Sequence, residues 1–245
     1  MVLKEGKNRE GKRRKREIAR TFEHEVEALS TVSHPNIVRI LDADLSKPVL
    51  VLEYLPGPNL HQFILGGYIG TVTGLKIARK ILEALEEFHK KGICHRDVKP
   101  KNVVVDRSEN EGVIVIDPGH CKFRGRADWA ASDGTSFGNP IYRAPECCGS
   151  DDVGGDLYSV GAIIYDLSQT RGHVSFVVTR PKIWLLKETD ILLTTDLREG
   201  RLPREVYNIV RRARSREKVD NFKSATQMIS EVDYAIERLG KRAEK

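Results

Sequence analysis

One short stretch of this chain places a carboxylate, an ammonium and a carboxamide within six residues. After Gly92 it reads Ile93-Cys94-His95-Arg96-Asp97-Val98-Lys99-Pro100-Lys101-Asn102. Pro100 and its flanking lysines argue against a helix, so the stretch is expected to be a loop. On such a loop Asp97 can orient a hydroxyl nucleophile and accept its proton. Lys99 can neutralise charge on a transferring phosphoryl group. The side-chain oxygen of Asn102 can ligate a divalent cation. Asp117 comes fifteen residues after Asn102, at the end of Val113-Ile114-Val115-Ile116. A carboxylate at a strand end is placed to hold Mg²⁺ against phosphates.

These groups need elements to position them, and the apolar pattern supplies candidates. Ile18, Phe22, Val26 and Leu29 recur at helical spacing, which predicts a helix from Glu17 to Val32 after a basic loop at residues 6–16. Glu25 lies near the buried face of that helix and needs a partner there. Ile37–Leu41 and Val49–Leu52 read as a two-strand hairpin. Glu53-Tyr54-Leu55-Pro56-Gly57 reads as a linker. Leu75, Ala78, Leu82, Leu85 and Phe88 predict a long amphipathic helix stopped by Gly92. Val103–Val105 and Val113–Ile116 read as short β runs, and the patterns beyond residue 155 are mostly helical.

The ordered motifs resemble those of eukaryotic-type Ser/Thr protein kinases. His95 to Asn102 is similar to the family's HRDLKPxN catalytic loop. Asp117-Pro118-Gly119 stands where the family has Asp-Phe-Gly. Gly138 to Glu146 resembles the end of the activation segment, with Ala144-Pro145-Glu146 as its closing triplet. Asp156 to Gly161 resembles the DxWSxG start of the helix beneath the large lobe. Glu53 to Gly57 looks like the hinge, with Leu52 as gatekeeper.

The resemblance implies an α+β, two-lobed protein-kinase-like fold with a reduced N-terminal β lobe and a mainly helical C-terminal lobe. One kinase-like domain would fill residues 1–245, with the N-lobe at 1–52, the hinge at 53–59 and the C-lobe at 60–245. It also implies roles. Lys4 would contact the ATP phosphates and pair with Glu25; Glu53 and Leu55 would receive the adenine. Asp97 and Lys99 would be catalytic, and Asn102 and Asp117 would hold Mg²⁺. Arg96 would read a phosphate on Ser132, Thr135 or Ser136. ATP and Mg²⁺ are the implied cofactors and a protein the implied substrate. His95 is expected to be structural.

Several positions depart from the pattern. The sequence opens at the lysine strand, and the two preceding strands with their Gly-rich turn do not occur in it. That leaves a sheet edge on which a partner chain can add a strand. Pro118 replaces the phenylalanine, Asn139 a threonine, and Asn221 the arginine expected to pair with Glu146. A pseudokinase acting as a binding or scaffold module, with weak or no nucleotide binding, therefore remains the alternative to an active kinase. A small-molecule kinase fits less well, because Arg96, Lys99 and Ala-Pro-Glu build a peptide platform in the family.

Composition narrows the classes further. Of 245 residues, 40% are hydrophobic and 31% charged, which excludes disorder for most of the chain. There is no run of 18 apolar residues, so no membrane span is expected, and no apolar signal segment opens the sequence. The net charge is +6, but residues 1–17 alone hold eight Lys/Arg against three Glu. A local basic stretch suits a solvated loop or an acidic partner and argues against a nucleic-acid face. Cys94, Cys121, Cys147 and Cys148 form no CxxC pair, which points to a reducing cytoplasm. His120-Cys121 lacks a second ligand pair, so zinc is not expected.

Overall fold

A computed structural model describes residues 2–5, 12–67, 69–106, 112–127, 142–144, 153–168, 198, 200–215 and 219–243. Its N-terminal part is a three-stranded antiparallel sheet, β1 (Val2–Glu5), β2 (Ile40–Asp44) and β3 (Val49–Leu52), in the order β1-β3-β2. Lys4 pairs in register with Leu50, and β2 is bulged between Ile40 and Asp42. The turn before β3 is held by the Asp44 carboxylate, which accepts from the Ser46 N–H at 2.9 Å and the Ser46 hydroxyl at 2.6 Å. Such a local carboxylate-to-backbone bond is why aspartate favours turns.

Helix α1 (Lys12–Thr31) packs beside β2. It starts five residues earlier than the periodicity predicts, taking in residues that read as a loop. Lys, Arg and Glu are strong helix formers, and neither Gly nor Pro occurs between Lys12 and Thr31. Glu25, Ala28, Leu29 and Val32 lie buried along this helix and its end. Strand β2 lies three residues later than expected, because Ile37 and Val38 are used elsewhere. Ile37 bridges Val115, and the Val38 N–H donates to the Val115 carbonyl at 3.0 Å.

Among the described residues, two further small antiparallel pairs occur. Strands β5 (Val103–Asp106) and β6 (Gly112–Val115) are antiparallel, as are β4 (Ile93–Cys94) and β7 (Lys122–Phe123). A single 3₁₀ turn, Pro100–Asn102, leads into β5. Helix α2 (Leu60–Leu65) follows the hinge and opens with a reciprocal cap: Asn59 and Gln62 each accept the other's backbone N–H through their side chains.

Among the described residues, four longer helices form the core of the large lobe: α3 (Thr71–Lys90), α4 (Gly154–Ser168), α5 (Arg204–Ala213) and α6 (Ala225–Ala243). Helix α3 packs on α4 and α6, and α4 packs on α5. Helix α3 ends as predicted, with Gly92 at φ 71° donating its N–H to His89. Every residue of α4 from Asp156 to Ser168 is buried; most are apolar, as expected of a helix enclosed on all sides, and the polar exceptions are Asp156, Ser159, Asp166 and Ser168. Small residues let its neighbours approach. A Cβ on Gly161 would lie 2.6 Å from that of Ala213.

This contact sets an expectation for stability. Gly161→Ala gains about 1 kcal/mol of helix propensity. Overpacking of a tight crossing costs about 1–3 kcal/mol, so the net effect is destabilising. Gly240→Ala meets open space on α6 and should stabilise by up to about 1 kcal/mol. Urea unfolding midpoints should therefore move in opposite directions for the two variants. A shared direction would refute the crossing argument.

Candidate active site

The catalytic-type loop hangs from the first turn of α4. Asp156 accepts the His95 N–H and the Arg96 N–H, each at 2.8 Å, through its two oxygens. His89 of α3 bonds to the same carboxylate through Nε2 at 2.9 Å. Burial opposes charge on Asp156, but the His89 bond, the nearby His95 and the Arg96 N–H outweigh it, so its carboxyl lies below the usual range. His95 is fully buried. It meets the Ile116 carbonyl through Nε2 at 3.3 Å and sets its ring edge-on to Phe88. These contacts are to the loop backbone and to the core, which is compatible with the structural part expected of it.

Two residues here take left-handed backbone conformations, Arg96 at φ 65° and Asp117 at φ 61°. Each costs of order 1–3 kcal/mol and persists because the surroundings hold it. For Arg96 the N–H bond to Asp156 is one such restraint.

The Asp97 carboxylate has two unlike oxygens. Oδ2 accepts from Lys99 Nζ at 2.5 Å and from Asn102 Nδ2 at 3.0 Å. Oδ1 is buried and has no hydrogen-bond partner among the described residues. The same Asn102 amide nitrogen also donates to the Asp97 carbonyl at 3.0 Å. The amide is thereby oriented, which leaves its oxygen as the ligand-capable end. Asp117 follows β6 and stays beside this cluster because the Ile116 N–H donates to the Asn102 carbonyl at 2.9 Å. Two hard oxygen donors are thus held next to a buried acceptor, a donor set that suits Mg²⁺.

The small lobe reaches the same region through Asn36. Its carbonyl accepts the Val115 N–H at 2.8 Å, and its side-chain amide donates to the Val113 carbonyl at 2.7 Å. Lys4 stands on β1, and Glu25 is buried on α1 with 2% exposure. Directly after β3, Glu53 turns its carboxylate toward Arg39, accepting that residue's N–H at 2.8 Å and pairing with its guanidinium at 3.8 Å. Leu55 packs partly buried against the core. Ser132, Thr135 and Ser136 lie outside the described residues, as do Asn139, Glu146, Cys147 and Cys148.

One residue near the carboxylates escaped the sequence reading as part of the site. His120 is mostly enclosed; burial pushes its pKa down, while Asp97 and Asp117 pull it up and Lys99 pushes it down. Only its position just after Asp117-Pro118-Gly119 could have pointed to it. Its neighbour Cys121 is held as a thiol, with burial pushing it up to about 12. Among the described residues no group of three His, Cys, Asp or Glu side chains is placed to hold a metal ion, so the amide oxygen of Asn102 would be needed in any donor set here.

Comparison with known proteins gives one family. The protein kinase domain model matches residues 1–196. A probable serine/threonine-protein kinase of Clostridium perfringens is 29% identical over 225 residues, covering 89% of this chain and 32% of that protein. Serine/threonine-protein kinase pkn3 of Myxococcus xanthus is 35% identical over 163 residues, covering 62% of this chain and 30% of that protein. The chain thus spans about a third of the length of these relatives. The crystal structure of Rad53 kinase domain and SCD2 superposes with a TM-score of 0.66 at 24% identity. The match covers 86% of this chain and 74% of that one, a likeness of fold.

Asp156→Ala should cost about 3–5 kcal/mol, since it strands two buried N–H groups and His89. The sign of the pH dependence follows from the depressed carboxyl. Its contribution is full above the unfolded carboxylate value of about 4 and is lost as pH falls through the lower folded value. Urea midpoints at pH 7 check the first point. Parent and variant should converge only in acid, and an unchanged midpoint at pH 7 would remove Asp156 from this role.

Proposed function

The chain belongs to the protein kinase family, and from that membership we propose that it catalyses ATP- and Mg²⁺-dependent phosphoryl transfer to serine or threonine of protein substrates. The observation that carries this reading is the Asp97 carboxylate, with one oxygen engaged by Lys99 and Asn102 and the other buried without a partner. A substrate hydroxyl would donate to that second oxygen, which orients it and takes its proton. Lys99, fixed on Asp97, brings positive charge to the transferred group. Asn102 and Asp117 would hold Mg²⁺, and the chemistry the ion supplies when bound is charge neutralisation across the phosphates. Lys4 would contact the phosphates and pair with Glu25, whose burial calls for a cation. The Glu53 carbonyl and the Leu55 backbone would meet the adenine.

The choice of serine or threonine is supported by Lys99 and by the names of the relatives. Cys94 and Cys121, both buried and in no disulfide among the described residues, support a reducing compartment such as the cytoplasm. No described helix is long and apolar enough to cross a membrane. Strand β1 is an outer strand among the described residues, so its free edge could accept a strand from a partner chain. Arg96 would bind a phosphate placed on Ser132, Thr135 or Ser136, which would order the segment through charge-assisted bonds.

Asp97→Asn removes the accepting carboxylate at constant volume and should lower transfer from ATP to a generic protein substrate by about 10²–10⁴. Equal rates for parent and variant would refute the assignment. A parent with neither transfer nor ATP binding would favour a scaffold role. For the regulatory reading, mass spectrometry after incubation with ATP and Mg²⁺ should find phosphate within residues 124–140. An unmodified peptide from an active preparation would reject self-modification there.

A further inference from the structure

Helix α1 is fastened to the segment after Asp117 along one face. Thr21, His24 and Glu27 recur every three residues on that face. Gly119 lies against Thr21 so closely that a Cβ there would sit 2.6 Å from Thr21 Cγ2. His24 donates through Nδ1 to the Cys121 carbonyl at 3.1 Å, and its ring meets Phe123 edge-on at 5.5 Å. The Arg126 guanidinium stacks 4.4 Å from the Phe123 ring centroid. It also forms a two-pronged pair with Glu27, at 2.9 and 2.7 Å. The contacts form a closed circuit: Glu27, Arg126, Phe123, His24, and back along α1.

Glu25 lies between the two anchor points, buried, one residue from His24 and two from Glu27. The direction of its carboxylate therefore depends on where α1 is held. Pro118, directly after Asp117, presents no aromatic face to help hold it. We propose that His24, Phe123 and Arg126 are positioning residues that clamp α1 to residues 119–126 and thereby hold Glu25 in the site. The clamp itself is geometry; its effect on catalysis rests on the phosphoryl-transfer reading.

The parts of the clamp are unequal. The Glu27–Arg126 side chains are 43% and 57% exposed, and an ion pair so wet contributes little. Phe123 is buried and touches both His24 and Arg126. Removing its ring should therefore matter more than removing Arg126.

The test uses the full chain and two readouts. Backbone hydrogen exchange is followed over residues 18–30 of α1 and over α4 in the parent, Phe123→Ala, Phe123→Tyr and Arg126→Ala. In Phe123→Ala the α1 amides should exchange about tenfold faster or more while α4 keeps its protection. Arg126→Ala should show a smaller rise, and Phe123→Tyr should behave like the parent. If Phe123→Ala also loses α4 protection, Phe123→Leu replaces it, keeping bulk without the aromatic edge. The second readout is kinetic. Phe123→Ala should raise the KM for ATP and lower kcat/KM by about tenfold or more. In a Glu25→Gln background the same change should add less than about twofold, because its effect acts through Glu25. Unchanged α1 exchange in Phe123→Ala would overturn the clamp. Effects that multiply fully with Glu25→Gln would overturn its positioning role. A parent without activity would sink the proposed reaction instead, while exchange still decides the clamp.

Discussion

A charged carboxylate with almost no access to water ties the helical core to the loop that bears the chemistry. Asp156 sits at the start of α4, the helix surrounded by the rest of the large lobe, and receives two successive backbone N–H groups from His95 and Arg96. Backbone atoms fixed this way cannot drift, and Asp97 follows immediately. The left-handed turn at Arg96 persists within this bonding, so strain is stored beside the reacting groups and offset by the core. The neighbouring contacts depend on that anchor: Lys99 and Asn102 converge on a carboxylate that is already placed.

The two lobes are joined by more than the hinge. Asn36 spans the gap with a backbone and a side-chain bond to β6, the strand that leads to Asp117. Asp117 therefore has two supports, one through the Asn102–Ile116 bond from the large lobe and one through β6 from the small lobe. Helix α1 is attached in the same region by contacts with residues 119–126. Displacing any one of these elements would change the spacing between Glu25 and Asp117.

Much of the site was legible because its chemistry lies in one run of sequence. Asp97, Lys99 and Asn102 are neighbours in the chain, and a proline among them already implies a loop. Helix α3 was legible because Leu75 to Phe88 keep helical spacing on a buried face. What escaped depends on tertiary partners. The start of α1 at Lys12 was hidden by its charge, which looks like a solvated loop although those residues favour helix. Strand β2 was misplaced because Ile37 and Val38 bury their side chains in the core while their backbone pairs with Val115 rather than with β3. Two-residue strands such as β4 and β7 carry no periodicity. The place of His120 near Asp97 and Asp117, and the edge-on contact of His24 with Phe123 across nearly a hundred residues, exist only once the chain has folded. The cap of α2 could have been read from Asn59 and Gln62 before Phe63 and Ile64.

The order in which a ribosome delivers these helices gives α4 a further property. Its sequence is mostly apolar, yet α5, which covers the face at Gly161 through Ala213, begins only at Arg204. At about 5–20 residues per second, roughly two to seven seconds separate the end of α4 from the start of α5. During that interval the nascent chain carries a greasy helix without its later neighbour. The same burial that gives the mature protein its rigid axis makes that interval of synthesis the one most exposed to aggregation, and the one in which a chaperone would find the most to bind.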